Sequence, residues 1–526
     1  MFDIAFFKKQ ETAVIFLGVI FAVIYSSFYA VHHTTFNSPD ETANHFFIKT
    51  FEETSRLSVP SELSGELGEI IVPRSMRVVN NAIVPGSFVG IIIIYGLIAK
   101  LFGAGAIYII GGVIASLGAW GFYILVREVC GGVIAFFSFI ALLVFPAWWY
   151  YASLAFFPNV LLVTLFLWAV VFLFWYKKYK KTLFVILSGV ALSLAVITRP
   201  TEIPWMFAFL VLFLYTYRKD TFILRALPWF FIILAITAAA LVSLQENIYG
   251  GIFKTGYVFE EGGGSFVFSF FPFGFHPRTA LYNFYLYFIK LFWFISVPAI
   301  LGAAMLVKQY IKERALKSLS IVSAFGLISL WFIIFYGSGT FLDNIADEIS
   351  LGVSYTRYFL PLYLLSIPLA VFFIEKLFFA LILSSRFRKC AAAFLCAVLF
   401  LVSFRLTFFD KNDSLALVSE TLLINQQKKE AVLASTEGDA IIVTYRQDKL
   451  FFPERAVIHT LNDSYILGKL SELSAMRPLY IYTFLSENDL NEKIVFPLRN
   501  QGLVINKVSN VYGDALYKVI RDEVSK

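Results

Sequence analysis

The stretch His32-His33-Thr34-Thr35-Phe36-Asn37-Ser38-Pro39-Asp40-Glu41-Thr42 follows directly on an apolar run from Thr12 to Val31. A membrane span takes about 20 apolar residues. Two adjacent carboxylates, Asp40 and Glu41, therefore stand a few residues past the end of a segment long enough to cross a bilayer. They head a long polar loop in an otherwise very apolar chain. That placement suits chemistry done where membrane meets water. It also suits a plainer role, because Pro39-Asp40-Glu41 is a good helix start with its acids at the positive end of the helix dipole.

The surrounding composition decides the class. Of 526 residues, 59% are hydrophobic and only 15% charged, where a soluble domain carries about 25% charged residues. The chain reads as a polytopic membrane protein, and its 60 Phe, 27 Tyr and 9 Trp suit lipid-facing and interfacial surfaces. The net charge of +7 is accounted for by basic cytoplasmic loops and calls for no nucleic acid. Lys8-Lys9 precede the first apolar run, which is too long for a signal-peptide core and lacks a small-residue cleavage site, so it is expected to be an uncleaved first span. Cys130, Cys390 and Cys396 form no CxxC pair, and neither a disulfide framework nor a zinc site is indicated. His32-His33 read as interfacial loop residues, and no metal site is assigned.

Eleven spans are predicted: 12–31, 106–126, 131–150, 157–175, 182–198, 203–217, 222–244, 284–306, 318–336, 358–379 and 390–408. The fifth and sixth are short and broken by Thr198-Arg199-Pro200, as a kinked pair would be. With the N-terminus inside, every cytoplasmic loop is basic, including Lys177–Lys181 and Arg386-Phe387-Arg388-Lys389. The outer loops carry little positive charge, Arg199 and Arg357 being the exceptions. This positive-inside pattern survives only if 86–103 is not a span. That stretch is therefore expected to lie in the outer interface or to dip in and out.

Four features then face outward: a loop over 32–105; a loop over 245–283 with Glu260-Glu261-Gly262-Gly263-Gly264 and Phe271-Pro272-Phe273-Gly274-Phe275-His276-Pro277-Arg278; residues 337–357 with Asp343, Asp347, Glu348 and Arg357; and a soluble tail over 409–526. In the tail, strand-like runs at 440–445 and 478–483 alternate with helical ones at 410–434, 463–475 and 489–500, and 502–508 and 515–520 read as a closing hairpin. A small α/β domain is expected. It has no glycine-rich phosphate loop. No internal repeat is evident, which counts against an inverted-repeat transporter.

In this organisation the chain resembles the GT-C superfamily of membrane glycosyltransferases, which includes protein O-mannosyltransferases and the lipid A aminoarabinose transferase. The resemblance rests on Ser38-Pro39-Asp40-Glu41-Thr42 at the head of the first outer loop, on Leu101-Phe102-Gly103 closing a surface helix, and on the matching topology. It is strongest over 36–200. It implies a GT-C fold over 1–408 with an extracytoplasmic α/β domain over 409–526, in the plasma membrane with a cytoplasmic N-terminus. Two positions depart from the family pattern. Asn159 stands where members often carry an acid, and Ile83-Val84-Pro85 lacks a lysine that some relatives carry before that proline, so another cation would have to take its task.

What the resemblance implies is transfer of a sugar, with inversion, from a polyprenyl-phosphate donor to a hydroxyl on a lipid, glycan or protein acceptor. Such a reaction asks for a carboxylate to accept the hydroxyl proton and cations to hold the leaving phosphate. Asp40 matches the base position, with Glu41 as its neighbour. Arg74, Arg77 and Arg357 are candidates for the phosphate; each can instead anchor to lipid head groups. Asn159, Arg199, His276 and Arg278 are candidates for the substrate cavity. For Arg199 the alternative is an interfacial anchor, and for the 271–278 segment an aromatic belt. No cofactor is assigned, and a divalent metal has little support. The rival reading is a non-enzymatic lipid or polysaccharide transporter or assembly factor, or a degenerate relative.

Overall fold

The computed structural model describes residues 4–522 apart from 62, 64, 253, 257–272, 342–348, 382–383 and 462. The 260–264 acid-glycine run, Phe271, Pro272, Asp343, Asp347 and Glu348 lie outside the described residues.

Proline punctuates the helices. The ring of a proline pushes the residue before it out of the α region. Phe145 is accordingly extended at ψ 126°, and Gly132–Val144 meets Pro146–Ser153 at 53°. The predicted third span is this bent pair, and its bend was not foreseen. Arg199 is extended at φ −152° and ψ 90° before Pro200, and Thr182–Thr198 meets Pro200–Thr216 at 113°. That is the kinked pair expected for the fifth and sixth segments. Among the described residues eight further helices are long and apolar enough to cross a membrane, giving ten spans if each bent pair is one, where eleven segments are predicted. They include Gln10–Val31, Leu227–Tyr249 and Arg386–Phe409. In the last two only 11% of the most apolar window is buried. Such surfaces are stable in hydrocarbon, where every backbone group is satisfied within the helix.

The stretch 86–103 contains the helix Gly90–Phe102. Thirteen residues span about 20 Å at 1.5 Å each, short of the ~30 Å of a bilayer core.

The chain forms two compact units, and neither is continuous in sequence. The first, Met1–Ala30, Tyr108–Leu241 and Gly263–Leu417, is helical. Its Trp293–Glu313 and Leu360–Leu381 helices pack so closely that a Cβ on Gly302 would strike the Leu369 carbonyl, the small-residue contact common between membrane helices.

The second unit joins Val31–Ile107, Val242–Gly262 and Val418–Lys526. The first loop has a three-stranded antiparallel sheet, β1 (Val59–Pro60), β2 (Met76–Val79) and β3 (Ala82–Pro85), in the order β1-β3-β2. The tail sheet is β4 (Ile441–Thr444), β5 (Ala456–Ile458), β6 (Leu479–Thr483), β7 (Leu503–Val511) and β8 (Asp514–Arg521), in the order β5-β4-β6-β8-β7. β4 runs parallel to β5 and β6, and β8 is antiparallel to β6 and β7. β4, β5 and β6 are buried along their whole length, as parallel strands covered on both faces must be. Leu67 and Ile71 of the first loop enter the tail's core beside Ile458, Leu470 and Ile481. Burying each such side chain contributes about 1.5–3 kcal/mol, so the loop is tied to the tail by its own apolar residues. His459 and the Val72 carbonyl are hydrogen-bonded at 3.0 Å, and Lys469 pairs with Glu66 at 2.9 Å.

Candidate functional site

The acid segment opens the helix Pro39–Thr54. Ser38 is extended at φ −114° and ψ 147°; its Oγ accepts from the Asp40 N–H at 3.2 Å, and the Glu41 carboxylate accepts from the Ser38 N–H at 3.2 Å. This reciprocal arrangement is a capping box. The two acids therefore divide. Glu41 is fully buried and holds the cap. Asp40 is only partly buried, and its Oδ1 accepts from the Ser75 hydroxyl at 2.6 Å.

Arg74 precedes Ser75 and turns to the tail. Its backbone N–H donates to Asp448 Oδ2 and its Nε to Asp448 Oδ1, both at 2.8 Å, and its Nη2 donates to the Arg446 carbonyl. Asp448 has no exposed side-chain surface. Lys449, next in sequence, donates from Nζ to the Asn37 carbonyl, one residue before the cap. Burial and the Arg74 guanidinium push the Lys449 ammonium down to about 8, although Glu41 and Asp448 pull the other way. Arg77, on β2, donates from Nε to the Gly256 carbonyl at 2.8 Å. Beside it the Tyr249 hydroxyl is shared between the Pro85 and Ser87 carbonyls at 3.0 and 3.2 Å.

The helical unit has its own cluster. Asn159 is buried at the start of Pro158–Tyr179, and its Nδ2 donates to the Arg357 carbonyl at 3.2 Å. Its Oδ1 is buried with no hydrogen-bond partner among the described residues. Arg357 donates from Nη2 to Ser354 Oγ at 2.8 Å and lies over the Phe157 ring at 4.6 Å and the Tyr358 ring at 5.2 Å. Arg199 also lies over Tyr358, at 4.6 Å. One aromatic ring thus carries two guanidiniums, each attracted by its π face. Arg199 is not at a lipid interface: it is buried, its Nε is 3.4 Å from Glu202 Oε1, and its Nη2 donates to the Tyr336 hydroxyl at 3.1 Å. Glu202 also accepts from Tyr336 and, at 2.6 Å, from Trp205 Nε1. Trp205 in turn lines an apolar cavity of about 170 Å³ with Phe122, Val163, Phe166, Ile328 and Leu364.

Sequence candidates thus gather in two groups. Asp40, Glu41 and Arg74 come together on the first loop, with Arg77 on β2. Asn159, Arg199 and Arg357 meet around Tyr358. His276 and Arg278 stand exposed at the start of Pro277–Phe284, the His276 N–H donating to Ser338 Oγ at 3.2 Å. Ser75, Glu202, Asp448 and Lys449 were missed. Glu202 had a signal, an acid three residues after Arg199 across a proline. Asp448 and Lys449 open a four-residue helix, Asp448–Phe451, too short for any periodicity. Among the described residues no three His, Cys, Asp or Glu side chains come together as a metal site would require.

By sequence, no protein-family model and no curated protein matches the chain. By structure it matches ArnT from Cupriavidus metallidurans bound to undecaprenyl phosphate, at TM-score 0.58 and 13% identity, over 96% of this chain and 98% of that one. The apo form of the same protein matches at TM-score 0.57. The archaeal oligosaccharyltransferase AglB from Archaeoglobus fulgidus, in complex with an inhibitory peptide and a dolichol-phosphate, matches at TM-score 0.54 and 10% identity, over 90% of this chain and 69% of that one. The chain has the fold of these solved structures. The match to ArnT runs nearly end to end, so the likeness in fold takes in the tail sheet as well as the apolar helices.

Proposed function

We propose that this chain is a GT-C glycosyltransferase that moves a sugar from a polyprenyl-phosphate donor to an acceptor hydroxyl, with inversion, at the outer face of the plasma membrane. The observation that carries the reading is the division of labour between the adjacent acids. Glu41 closes the helix cap, while Ser75 orients the carboxylate of Asp40. A helix that needed only a cap has it from Ser38 and Glu41.

In the proposed reaction the acceptor oxygen attacks the anomeric carbon as the bond to the phosphate oxygen breaks. Asp40 takes the hydroxyl proton, and the lipid phosphate leaves with the bonding electrons. A positioned base typically contributes about 10²–10⁴-fold. Arg357, whose guanidinium lies over the Phe157 and Tyr358 rings, is the candidate for holding the donor's phosphate. Arg199 is paired with Glu202 and lies over the same Tyr358 ring. Arg74 is committed to Asp448 and acts on the fold of the loop rather than on phosphate. The apolar cavity beside Trp205 suits an isoprenoid chain. Asn159 can orient a hydroxyl, but a neutral amide is a poor metal ligand.

Native mass spectrometry of the purified protein, followed by incubation with a polyprenyl-phosphate sugar and a hydroxyl acceptor, tests the reading. A bound polyprenyl phosphate and release of lipid phosphate with sugar transfer are expected. Lipid binding without transfer would favour a transporter or assembly factor.

A further inference from the structure

Two neighbouring residues of the tail reach the two backbone segments that hold Asp40. On one side is Ser75, the hydrogen-bond donor to Asp40. It sits at φ +62°, a left-handed conformation uncommon for a residue with a side chain. What keeps it there is visible on both flanks. Before it, Asp448 takes both the N–H and the Nε of Arg74. After it, the Gly86 N–H donates to the Ser75 carbonyl at 2.8 Å, and a Cβ on Gly86 would come within 2.6 Å of the Ser75 carbonyl carbon. On the other side of Asp40 is Asn37, whose carbonyl accepts from Lys449 Nζ immediately before the capping box.

We infer that Asp448 and Lys449 are positioning residues through which the C-terminal domain sets the orientation of the Asp40 carboxylate. The inference rests on the reading of Asp40 as the base. Asp448 acts through Arg74 and Ser75, and Lys449 acts through Asn37 and the cap. The charge on Lys449 is held there at a cost, since burial and Arg74 depress its pKa to about 8 against the pull of Glu41 and Asp448. A merely structural contact to one carbonyl needs no such cation. Groups kept in costly settings are characteristic of functional positions. The tail is then a working part of the site.

The test uses the full-length protein and the variants Asp448→Asn, Lys449→Met and Lys449→Arg. Amide hydrogen exchange over 37–44 and 74–79 is expected to speed up about tenfold or more in Asp448→Asn and Lys449→Met, while β4, β6 and β8 keep their protection. Displacing a reacting group by about 1 Å costs on the order of 10²-fold, so kcat for sugar transfer should fall about 100-fold with KM within twofold. Lys449→Arg should recover most of it. In an Asp40→Asn background, Lys449→Met should remove less than a further twofold. Unchanged exchange over 37–44 overturns the inference. So does a full additional loss in the Asp40→Asn background, which would give Lys449 a role independent of Asp40. If Asp448→Asn loosens the whole sheet, Lys449→Met decides. Should the wild type transfer no sugar, the reaction reading fails, and the exchange result still decides whether the tail orders the acid segment.

Discussion

Replacing Lys449 by Met should stabilise the protein at neutral pH while slowing it. The ammonium of Lys449 has a pKa of about 8, against an ordinary 10.5. At 1.36 kcal/mol per pKa unit, keeping the charge in the folded state costs about 3 kcal/mol at pH 7. Methionine retains the apolar stem and removes that cost. It also forfeits the hydrogen bond to the Asn37 carbonyl, worth about 1 kcal/mol, and a countercharge to Glu41. A net gain of about 1–2 kcal/mol follows, read as a rise of a few degrees in melting temperature. The sign has a signature in pH. Between 8 and 10.5 the unfolded chain binds the Lys449 proton and the folded chain does not, so wild-type stability rises with pH across that window. Lys449→Met lacks the rise, so the two stability curves should cross between pH 8 and 10.5, with the wild type the more stable by about 1–2 kcal/mol beyond it. Thermal scans of both in the same detergent at pH 7 and pH 10 make the comparison. A lower melting temperature for Lys449→Met at pH 7, or the same difference at both pH values, would show that the folded protein holds the Lys449 charge at no cost.

Arg357→Ala should weaken binding of a polyprenyl-phosphate sugar about 10–100-fold, the worth of a charge-assisted contact, with the protein still inserted; unchanged affinity in a binding titration would return the arginine to a packing role. Glu202→Gln leaves the buried Arg199 guanidinium without its countercharge, a loss of about 3–5 kcal/mol, and should lower the melting temperature sharply, whereas Arg199→Met with Glu202→Leu should recover much of it. Ala475 is exposed on the Ser464–Met476 helix of the tail. With the three native cysteines replaced by serine, Ala475→Cys should react with an impermeant thiol reagent in intact cells; labelling only after lysis would put the tail inside.

Much of this architecture is written locally. Each apolar segment predicted from the sequence has a helix, because about 20 apolar residues suffice to mark a span. The break at Arg199-Pro200 was legible because proline acts on its immediate neighbour; the bend at Pro146 obeys the same rule and was masked by the strong hydrophobicity around it. The parallel strands β4 and β6 were legible as short β-branched runs between turns. β5 was not, since three residues after Pro453 carry no alternation. Nor were β1 to β3, short strands interrupted by glycine, proline and asparagine. The candidate site divides in the same way. Pro39-Asp40-Glu41 could be read as a helix start because a cap is a local device. Ser75, Asp448 and Lys449 could not be assigned to it, because their contacts join residues 35, 374 and 412 positions apart. No periodicity encodes such a meeting; it is set by the packing of Leu67 and Ile71 into the tail's core.

In the proposed reaction Asp40 takes the acceptor's proton. Asp40→Asn keeps the size of the side chain and an oxygen for the Ser75 hydroxyl, and the capping box of Ser38 and Glu41 is untouched, so the protein should fold as before. The decisive measurement is the single-turnover rate of sugar transfer from a polyprenyl-phosphate donor by the purified Asp40→Asn protein. A rate about 10²–10⁴-fold below wild type, with donor binding retained, is the predicted result. Transfer at the wild-type rate would leave Asp40 a helix-start residue with no part in proton transfer.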